Sequence, residues 1–117
     1  MLPAGIITVD QNAAGEQDKI APEKLLSGQN ETTVWNAFSD TSGKFHVGHW
    51  ASGPCKLAVR YSENELCVLL SGRAALTDAH GARAEFGPHE PFVIAAGFSG
   101  TWESLGDVTK IYAIYEP

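Results

Sequence analysis

The chain has 117 residues and a mass of 12.5 kDa, which allows one compact domain with a core of its own. Hydrophobic residues make up 44% and charged residues 19%, so the composition is that of a globular protein, not a disordered or fibrous one. Eight Lys and Arg against fourteen Asp and Glu give a formal net charge of −6, which makes nucleic acid a poor candidate partner.

Apolar runs are short throughout the chain. The longest of them, such as 67–70 and 92–96, fall far short of the roughly 20 residues that cross a bilayer, so no membrane partner is expected. The first five residues have no basic cluster and no sustained apolar run, so we expect no signal peptide. Cys55 and Cys67 lack CxxC spacing, and two thiols are too few for a disulfide scaffold. These features predict a protein of the reducing cytoplasm.

Residues 1–30 differ from the rest because Gly, Pro, Gln, Asn and Asp interrupt every apolar period. We expect them to form an irregular N-terminal arm that drapes over the domain and belongs to it; its extreme end could instead be disordered. Residues 21–26 could form one or two helical turns, with Pro22 near the start.

From Thr32 onward, short β-type runs alternate with turn signals. The run at 66–70 is almost continuously apolar and predicts a central strand, and 78–81 predict a hairpin turn with Gly81 at positive φ. Roughly nine or ten short strands, about 8–12 residues apart and with no helix-length amphipathic segment between them, predict a single all-β domain over 31–117, a sandwich or barrel. The predicted strands are 33–38, 45–50, 57–61, 66–70, 73–77, 84–86, 92–94, 101–104 and 108–115.

An ordered series of motifs resembles the cupins. Residues 65–72, Glu-Leu-Cys-Val-Leu-Leu-Ser-Gly, resemble the first cupin motif, in which an acidic residue opens a strand that ends seven residues later at a turn glycine. Residues 81–103 resemble the second cupin motif. Residues 110–112 (Lys-Ile-Tyr) resemble the C-terminal ending of one branch of the cupins, and residues 47–50 resemble the Gly-x-Trp strand of the same branch. The branch is the domain-of-unknown-function 861 group of small single-domain cupins, related to the ureidoglycine aminohydrolase and ethanolamine-utilisation cupins. The resemblance covers residues 32–116.

The resemblance implies a double-stranded β-helix, the cupin jelly-roll barrel, with a pocket at the barrel mouth. Strand spacing alone leads to the same class. Alternation along a strand that begins at Glu65 places Glu65, Cys67 and Leu69 on one face. The predicted pocket residues are Trp50, Val59, Tyr61, Glu65, Cys67, Gly100, Trp102, Lys110 and Tyr112.

Of the four metal ligands that the resemblance implies, the sequence keeps only Glu65 and none of the three histidines. The resemblance implies one His four residues and another six residues before Glu65, and a third His three residues after Gly97. Those positions hold Tyr61, Val59 and Gly100, and a register shifted by one residue brings no His either. One carboxylate with a phenol is not a transition-metal site of useful affinity, so we expect no metal and no other cofactor in the pocket.

The four histidines are predicted to lie elsewhere. His46 and His49 are three apart on one strand and so face opposite sides of the sheet. His80 and His89 fall in turns, where solvated side chains are expected. His89 stands where the motif has a turn glycine, which predicts a positive φ at a cost of about 1 kcal/mol.

Two pocket residues are candidates for acid–base chemistry. Glu65 could act as a general acid or base if aromatic rings desolvate it, and Tyr61 could donate a hydrogen bond to a substrate oxygen. Alternatively, Glu65 is a structural carboxylate paired with Arg60, Arg73 or Lys110.

The remaining pocket residues also have two interpretations. Cys67 lies mid-strand in an apolar run, which favours a buried inert thiol over a nucleophile. Trp50 and Trp102 could pack in the core or form an aromatic wall for a planar or sugar-like ligand. Lys110 could be a surface lysine, whereas the resemblance implies an ordered side chain that reaches a carboxylate.

The sequence leaves three functions open. The first is a metal-free cupin that binds a small polar metabolite. The second is an enzyme, either ureidoglycine-aminohydrolase-like or a metal-free isomerase or epimerase that uses Glu65 and Tyr61 as acid and base. The third is an interaction domain with a vestigial pocket. We also expect a homodimer, to which residues 1–30 could contribute by covering a sheet edge.

Overall fold

The computed structural model describes residues 1–117 and consists of strands joined by turns and loops. No helix long and apolar enough to cross a membrane occurs in it. The eleven strands are β1 (Glu16–Lys19), β2 (Leu25–Gly28), β3 (Glu31–Ser39), β4 (Phe45–Ser52), β5 (Cys55–Arg60), β6 (Asn64–Ser71), β7 (Ala74–Asp78), β8 (Arg83–Phe86), β9 (Phe92–Ile94), β10 (Ser99–Ser104) and β11 (Val108–Tyr115).

The strands form two antiparallel sheets. One has six strands in the order β1-β3-β4-β11-β6-β9, and the other has five in the order β2-β5-β10-β7-β8. The last strand, β11, pairs with β4 on one side and β6 on the other, although both are distant from it in the sequence. Such long-range pairing is expected for a jelly-roll barrel. The all-β prediction is confirmed, and all nine predicted strands occur.

Side-chain alternation explains which face of each central strand is buried. On β6, Glu65 is 5% exposed and Cys67 and Leu69 are fully buried, whereas Leu66 between them is 40% exposed. This is the predicted alternation, and it directs the side chains of Glu65, Cys67 and Leu69 into the space between the sheets. Burying one Leu side chain such as Leu69 stabilises the fold by about 1.5–3 kcal/mol. The core consists of Cys67, Leu69, Ala74, Leu76, Ile94, Trp102 and Val108.

The N-terminal arm is more regular than predicted. Strand β1 pairs with β3 at the edge of the six-stranded sheet, and β2 pairs with β5 at the edge of the five-stranded sheet. The arm therefore crosses from one sheet to the other. A single turn at the crossing is closed by the Leu25 N–H, which donates to the Ala21 carbonyl at 3.2 Å, and it does not continue as a helix.

Residues before β1 cover the outer face of the six-stranded sheet. The indole Nε1 of Trp35 donates to the Ala13 carbonyl at 3.1 Å. A Cβ at Gly15 would lie 2.3 Å from the Thr33 methyl group, so only glycine permits this close approach. The positive φ predicted at His89 is confirmed, since His89 has a φ of 63°.

His49 is buried on this covered outer face. It is 4% exposed, and in register it lies opposite Trp35 of β3 and Ile111 of β11. Its Nδ1 atom is buried without a hydrogen-bond partner. Burial lowers the pKa of His49, although the negative charge of Asp10 in the arm acts in the opposite direction. Folding therefore selects the neutral imidazole.

Stability is expected to decrease on the acid side of neutrality because of His49. The unfolded chain takes up the proton near pH 6.5, before the folded protein does. The stabilising contribution is therefore complete above that pH and is lost as the pH falls through the lower folded pKa. Thermal unfolding between about pH 7 and pH 5 should show this loss. The variant His49→Leu should not lose stability in this range, whereas the control His80→Gln should lose as much as the wild type. Equal acid sensitivity in the wild type and both variants would contradict the role given to His49.

Candidate functional site

A cavity of about 470 Å³ opens between the two sheets. It continues outward into a wider opening of about 770 Å³, which we call the mouth. The mouth is bounded by the arm crossing, by β5 and by the start of β10. Trp50, Leu57, Val59, Tyr61 and Glu65 line both spaces. The cavity is lined by Val34, Asn36, His46, Trp50, Leu57, Val59, Tyr61, Glu65, Trp102, Lys110, Tyr112 and Ile114.

The register of β11 places the functional side chains. Lys110 lies opposite Trp50 of β4 and Leu69 of β6, and Tyr112 lies opposite Cys67. Alternation on β11 buries Val108, Lys110 and Tyr112 on the inner face. The side chain of Lys110 therefore lies in the middle of the barrel, between the inner faces of the two sheets.

A buried ion pair occupies the inner end of the cavity. Lys110 Nζ lies 2.8 Å from Glu65 Oε2, and both side chains are 6% exposed. The same Nζ is 3.6 Å from Cys67 Sγ, which in turn donates to Glu65 Oε2 at 3.3 Å. It also lies 4.2 Å from the ring centroid of Trp102 and 4.9 Å from that of Trp50. A carboxylate, a sulfur and two indole faces therefore surround the ammonium group.

Lys110 remains an ammonium ion in this environment. Burial by itself favours the neutral amine, but the negative charge of Glu65 and the hydrogen bonds from Nζ to Glu65 and Cys67 outweigh it and raise the pKa of Lys110 above its usual value. A protonated amine cannot attack a carbonyl group, so the site does not provide a nucleophilic lysine.

Glu65 adopts the paired arrangement, and its partner is Lys110. Arg73 instead pairs with Glu85 at 3.3 Å. Only Oε2 of Glu65 receives the hydrogen bonds from Lys110 and Cys67. Glu65 also lines the cavity, where its carboxylate faces the Tyr61 hydroxyl.

Tyr61 provides a hydrogen-bond donor at the junction of the cavity and the mouth. Its ring packs edge-on against Phe98 with the centroids 6.4 Å apart. Burial, reinforced by the negative charge of Glu65, raises the pKa of Tyr61 far above its usual value. The side chain therefore stays a phenol, whose O–H can be donated to a ligand oxygen.

A chain of hydrogen bonds closes the opposite wall. The Tyr112 hydroxyl donates to Asn36 Oδ1 at 2.7 Å, and Asn36 Nδ2 donates to Ser39 Oγ at 3.0 Å. Ser39 Oγ lies 2.7 Å from His46 Nδ1, and His46 Nε2 lies 2.9 Å from the Gly43 carbonyl. Since a carbonyl only accepts, Nε2 carries the proton and Nδ1 accepts from the serine. Both ring nitrogens are occupied, so His46 has no free nitrogen for a metal.

The structure brings most of the predicted pocket residues together. Gly100 lines the mouth, where a Cβ would lie 2.0 Å from the Thr77 carbonyl oxygen. Cys67 lies behind the ion pair, fully buried, and does not line the cavity. The predicted residues that line the cavity are Trp50, Val59, Tyr61, Glu65, Trp102, Lys110 and Tyr112.

The prediction that all four histidines lie away from the pocket is wrong for His46, which lines the cavity. The sequence analysis also missed four other cavity residues, Val34, Asn36, Leu57 and Ile114. Alternation could have identified His46, which is four residues before Trp50 on the same strand face. Asn36 carried no such signal, because β3 is irregular in its register with β4 between Asn36 and Phe38.

The side chains of the cavity do not fit a transition metal. The structure contains no group of three or more His, Cys, Asp or Glu side chains that could hold a metal ion. Glu65 is a single carboxylate whose bound cation is the Lys110 ammonium. No chemical step is therefore assigned to a metal here.

Neither cysteine is expected to react in the folded protein. Cys55 and Cys67 are free and buried, and burial, partly offset by Lys110, raises the pKa of the Cys67 thiol to about 12. Thiolate is the reactive form, so a disulfide reagent at about pH 8 should label no thiol in the native protein and both after denaturation. Rapid labelling of one thiol in the native protein would contradict this burial.

Two antiparallel sheets in jelly-roll order around an interior cavity are the architecture that the cupins share with other jelly-roll proteins. The family model for the EutQ-like cupin domain matches residues 39–112. The chain belongs to this family, and the resemblance seen in the sequence is confirmed.

Solved structures support the same relationship. A protein of unknown function of the DUF861 family from Pseudomonas syringae pv. tomato is 26% identical, with a TM-score of 0.81, over 91% of this chain and 46% of that protein. The EutQ protein of Clostridium difficile is 14% identical, with a TM-score of 0.65, over 73% of this chain and 62% of that one. A predicted oxalate decarboxylase of Thermotoga maritima is 15% identical, with a TM-score of 0.71, over 96% and 99%.

The chain spans less than two thirds of the length of the first two of these proteins. The two likenesses below 25% identity show the shared fold alone. No protein of curated function matches the chain.

Proposed function

We propose that the protein binds a small polar metabolite in the cavity between its sheets. The observation that supports this most is the cavity of about 470 Å³ itself, which has mainly apolar walls and a few inward polar groups. Small-molecule sites in proteins typically measure about 300–1,000 Å³ and have this kind of lining.

The lining suggests how such a molecule would be held. Trp50 and Trp102 meet edge to face with ring centroids 5.6 Å apart, and they offer an aromatic surface to an apolar or planar body. The Glu65 carboxylate would accept a hydrogen bond and the Tyr61 hydroxyl would donate one. A molecule with a flat body and neighbouring donor and acceptor groups fits this arrangement.

The test is native mass spectrometry of untagged protein, followed by identification of the released molecule. We expect a bound mass in the wild type and its loss in Val59→Trp, where the larger side chain would fill the cavity. The control is Leu105→Trp, because Leu105 is 40% exposed and lies outside both the cavity and the mouth. Circular dichroism checks the fold of both variants. A bound mass that persists in folded Val59→Trp would contradict binding in the cavity.

An enzyme is the second candidate. Tyr61 and Glu65 line the same part of the cavity, where the Tyr61 phenol could supply a proton and the Glu65 carboxylate could accept one. Such a pair could protonate and deprotonate a substrate without a metal. If turnover of any compound is found, Tyr61→Phe and Glu65→Gln should abolish it; unchanged turnover in Glu65→Gln would exclude this mechanism.

We also propose a homodimer. The arm exposes Leu2, Ile6 and Ile7, and the outer face of the six-stranded sheet exposes Leu66 and Val93, which lie opposite each other on β6 and β9. Exposed apolar groups of this kind mark interaction surfaces. Light scattering should give twice 12.5 kDa, and Leu66→Asp should reduce the mass to that of one chain. Leu105 is as exposed as Leu66, and the control variant Leu105→Asp should remain a dimer. A wild-type protein with the mass of one chain would contradict the proposal.

The cytoplasm remains the proposed location, and two free, buried thiols support it. Cell fractionation tests this directly.

A further inference from the structure

Three cationic side chains line the mouth: Lys19, Lys24 and Arg60. None of the three forms a salt bridge. The salt bridges of the chain use the cations Arg73, Arg83 and Lys110. The mouth therefore holds three of the eight basic residues of a chain whose net charge is −6, and leaves them without a carboxylate partner.

The three cations come from separate elements. Lys19 ends β1 at the edge of the six-stranded sheet, and Arg60 ends β5 in the five-stranded sheet. Lys24 lies in the arm crossing, where its carbonyl accepts a hydrogen bond from Ala58 N–H at 2.8 Å. Both sheets and the arm thus supply positive charge to one opening, and the backbone beside Lys24 is fixed to β5.

Carboxylates offset part of the positive charge at the mouth, since Asp18 precedes Lys19 and Glu31 lies opposite Lys19 in the strand register. The mouth also contains the carboxylates of Asp18, Glu63 and Glu65; with Lys110, which pairs with Glu65, the four cations and three anions sum to +1. Further in, the charge of Glu65 is neutralised by Lys110. A cleft whose field is opposite in sign to that of the whole chain attracts ligands of the other charge.

We propose that the ligand is an organic anion, with an apolar or planar body in the cavity and a carboxylate or phosphate group at the mouth. Lys19, Lys24 and Arg60 bind the anionic group, and Tyr61 donates a hydrogen bond at the junction. This inference rests on the proposed function, since it specifies the chemical class of the molecule bound in the cavity.

The test uses four probes that share a phenyl ring: 3-phenylpropionate, 2-phenylethyl phosphate, 3-phenylpropionamide and 3-phenylpropylamine. Titrations followed by amide and indole N–H resonances report whether each probe reaches Trp102 inside the cavity. We expect at least one of the two anions to bind about tenfold more tightly than the amide, and the amine to bind most weakly. Added salt should weaken the anions and spare the amide. The relative affinities of the two anions distinguish a carboxylate from a phosphate ligand.

Charge-reversal variants locate the anionic group. Lys24→Glu and Arg60→Glu should each weaken the tighter anion by about tenfold while leaving the amide unchanged. Lys44→Glu is the matched control, because Lys44 is exposed and lies outside both spaces, and it should bind like the wild type. If the amide or the amine binds as tightly as both anions, the inference fails and the proposed function stands. If no probe shifts the cavity resonances, both fail.

Discussion

Replacing Lys110 with Met is expected to lower the free energy of unfolding by about 3–5 kcal/mol, because it leaves a buried carboxylate without its counter-ion. The reason is geometric: Glu65 and Lys110 are 2.8 Å apart and both side chains are 6% exposed, so the carboxylate is largely withdrawn from water and depends on the ammonium group. Urea unfolding of the variant and the wild type measures the difference.

A double variant separates the charge effect from packing. Lys110→Met combined with Glu65→Met removes both charges and keeps apolar volume, and such replacements are often neutral or stabilising by about 1–4 kcal/mol. The exposed control Lys44→Met should change stability by less than about 0.5 kcal/mol. A single variant Lys110→Met that unfolds at the wild-type urea concentration would show that the ion pair does not matter for folding.

Trp102→Ala is expected to cost about 3–5 kcal/mol, the range for large aromatic side chains removed from a core. Trp102 is 2% exposed, lies edge to face with Trp50, and donates its indole N–H to Ser104 Oγ at 2.9 Å. The variant also removes one of the two rings over Lys110. Urea unfolding again measures the loss.

The matched control is Trp35→Ala. Trp35 lies half-buried on the outer face of β3, where its indole holds the arm at Ala13. Its removal should cost clearly less than that of Trp102, because only the arm contact and part of one ring are lost. Equal losses in the two variants would mean that the arm contributes as much to stability as the core.

The fold was accessible from the sequence because β6 and its neighbours obey strict alternation. Glu65, Cys67 and Leu69 were predicted to share a face, and the structure places all three between the sheets. In contrast, β1 and β2 were missed because each has four residues that are almost entirely exposed, so no face of them is apolar. Their strand conformation depends on pairing with sheet edges far away in sequence.

The site was only partly accessible for a related reason. Side-chain alternation along β6 predicts that Glu65 points inward. It does not predict whether Arg60, Arg73 or Lys110 is the partner of Glu65. That choice depends on the register between β6 and β11, which are separated by about forty residues of chain and whose ladder is irregular between Thr109 and Lys110. The hydrogen bonds of Asn36 and His46 depend likewise on long-range register.

The position of β11 also bears on how the chain acquires its structure during synthesis. The ribosome makes β11 after the other ten strands, yet β11 is hydrogen-bonded on one side to β4 and on the other to β6. Until translation passes residue 115, both of those strands retain unpaired edges that can join other chains. Closure of the six-stranded sheet by β11 is thus the step that removes these two edges from contact with other chains.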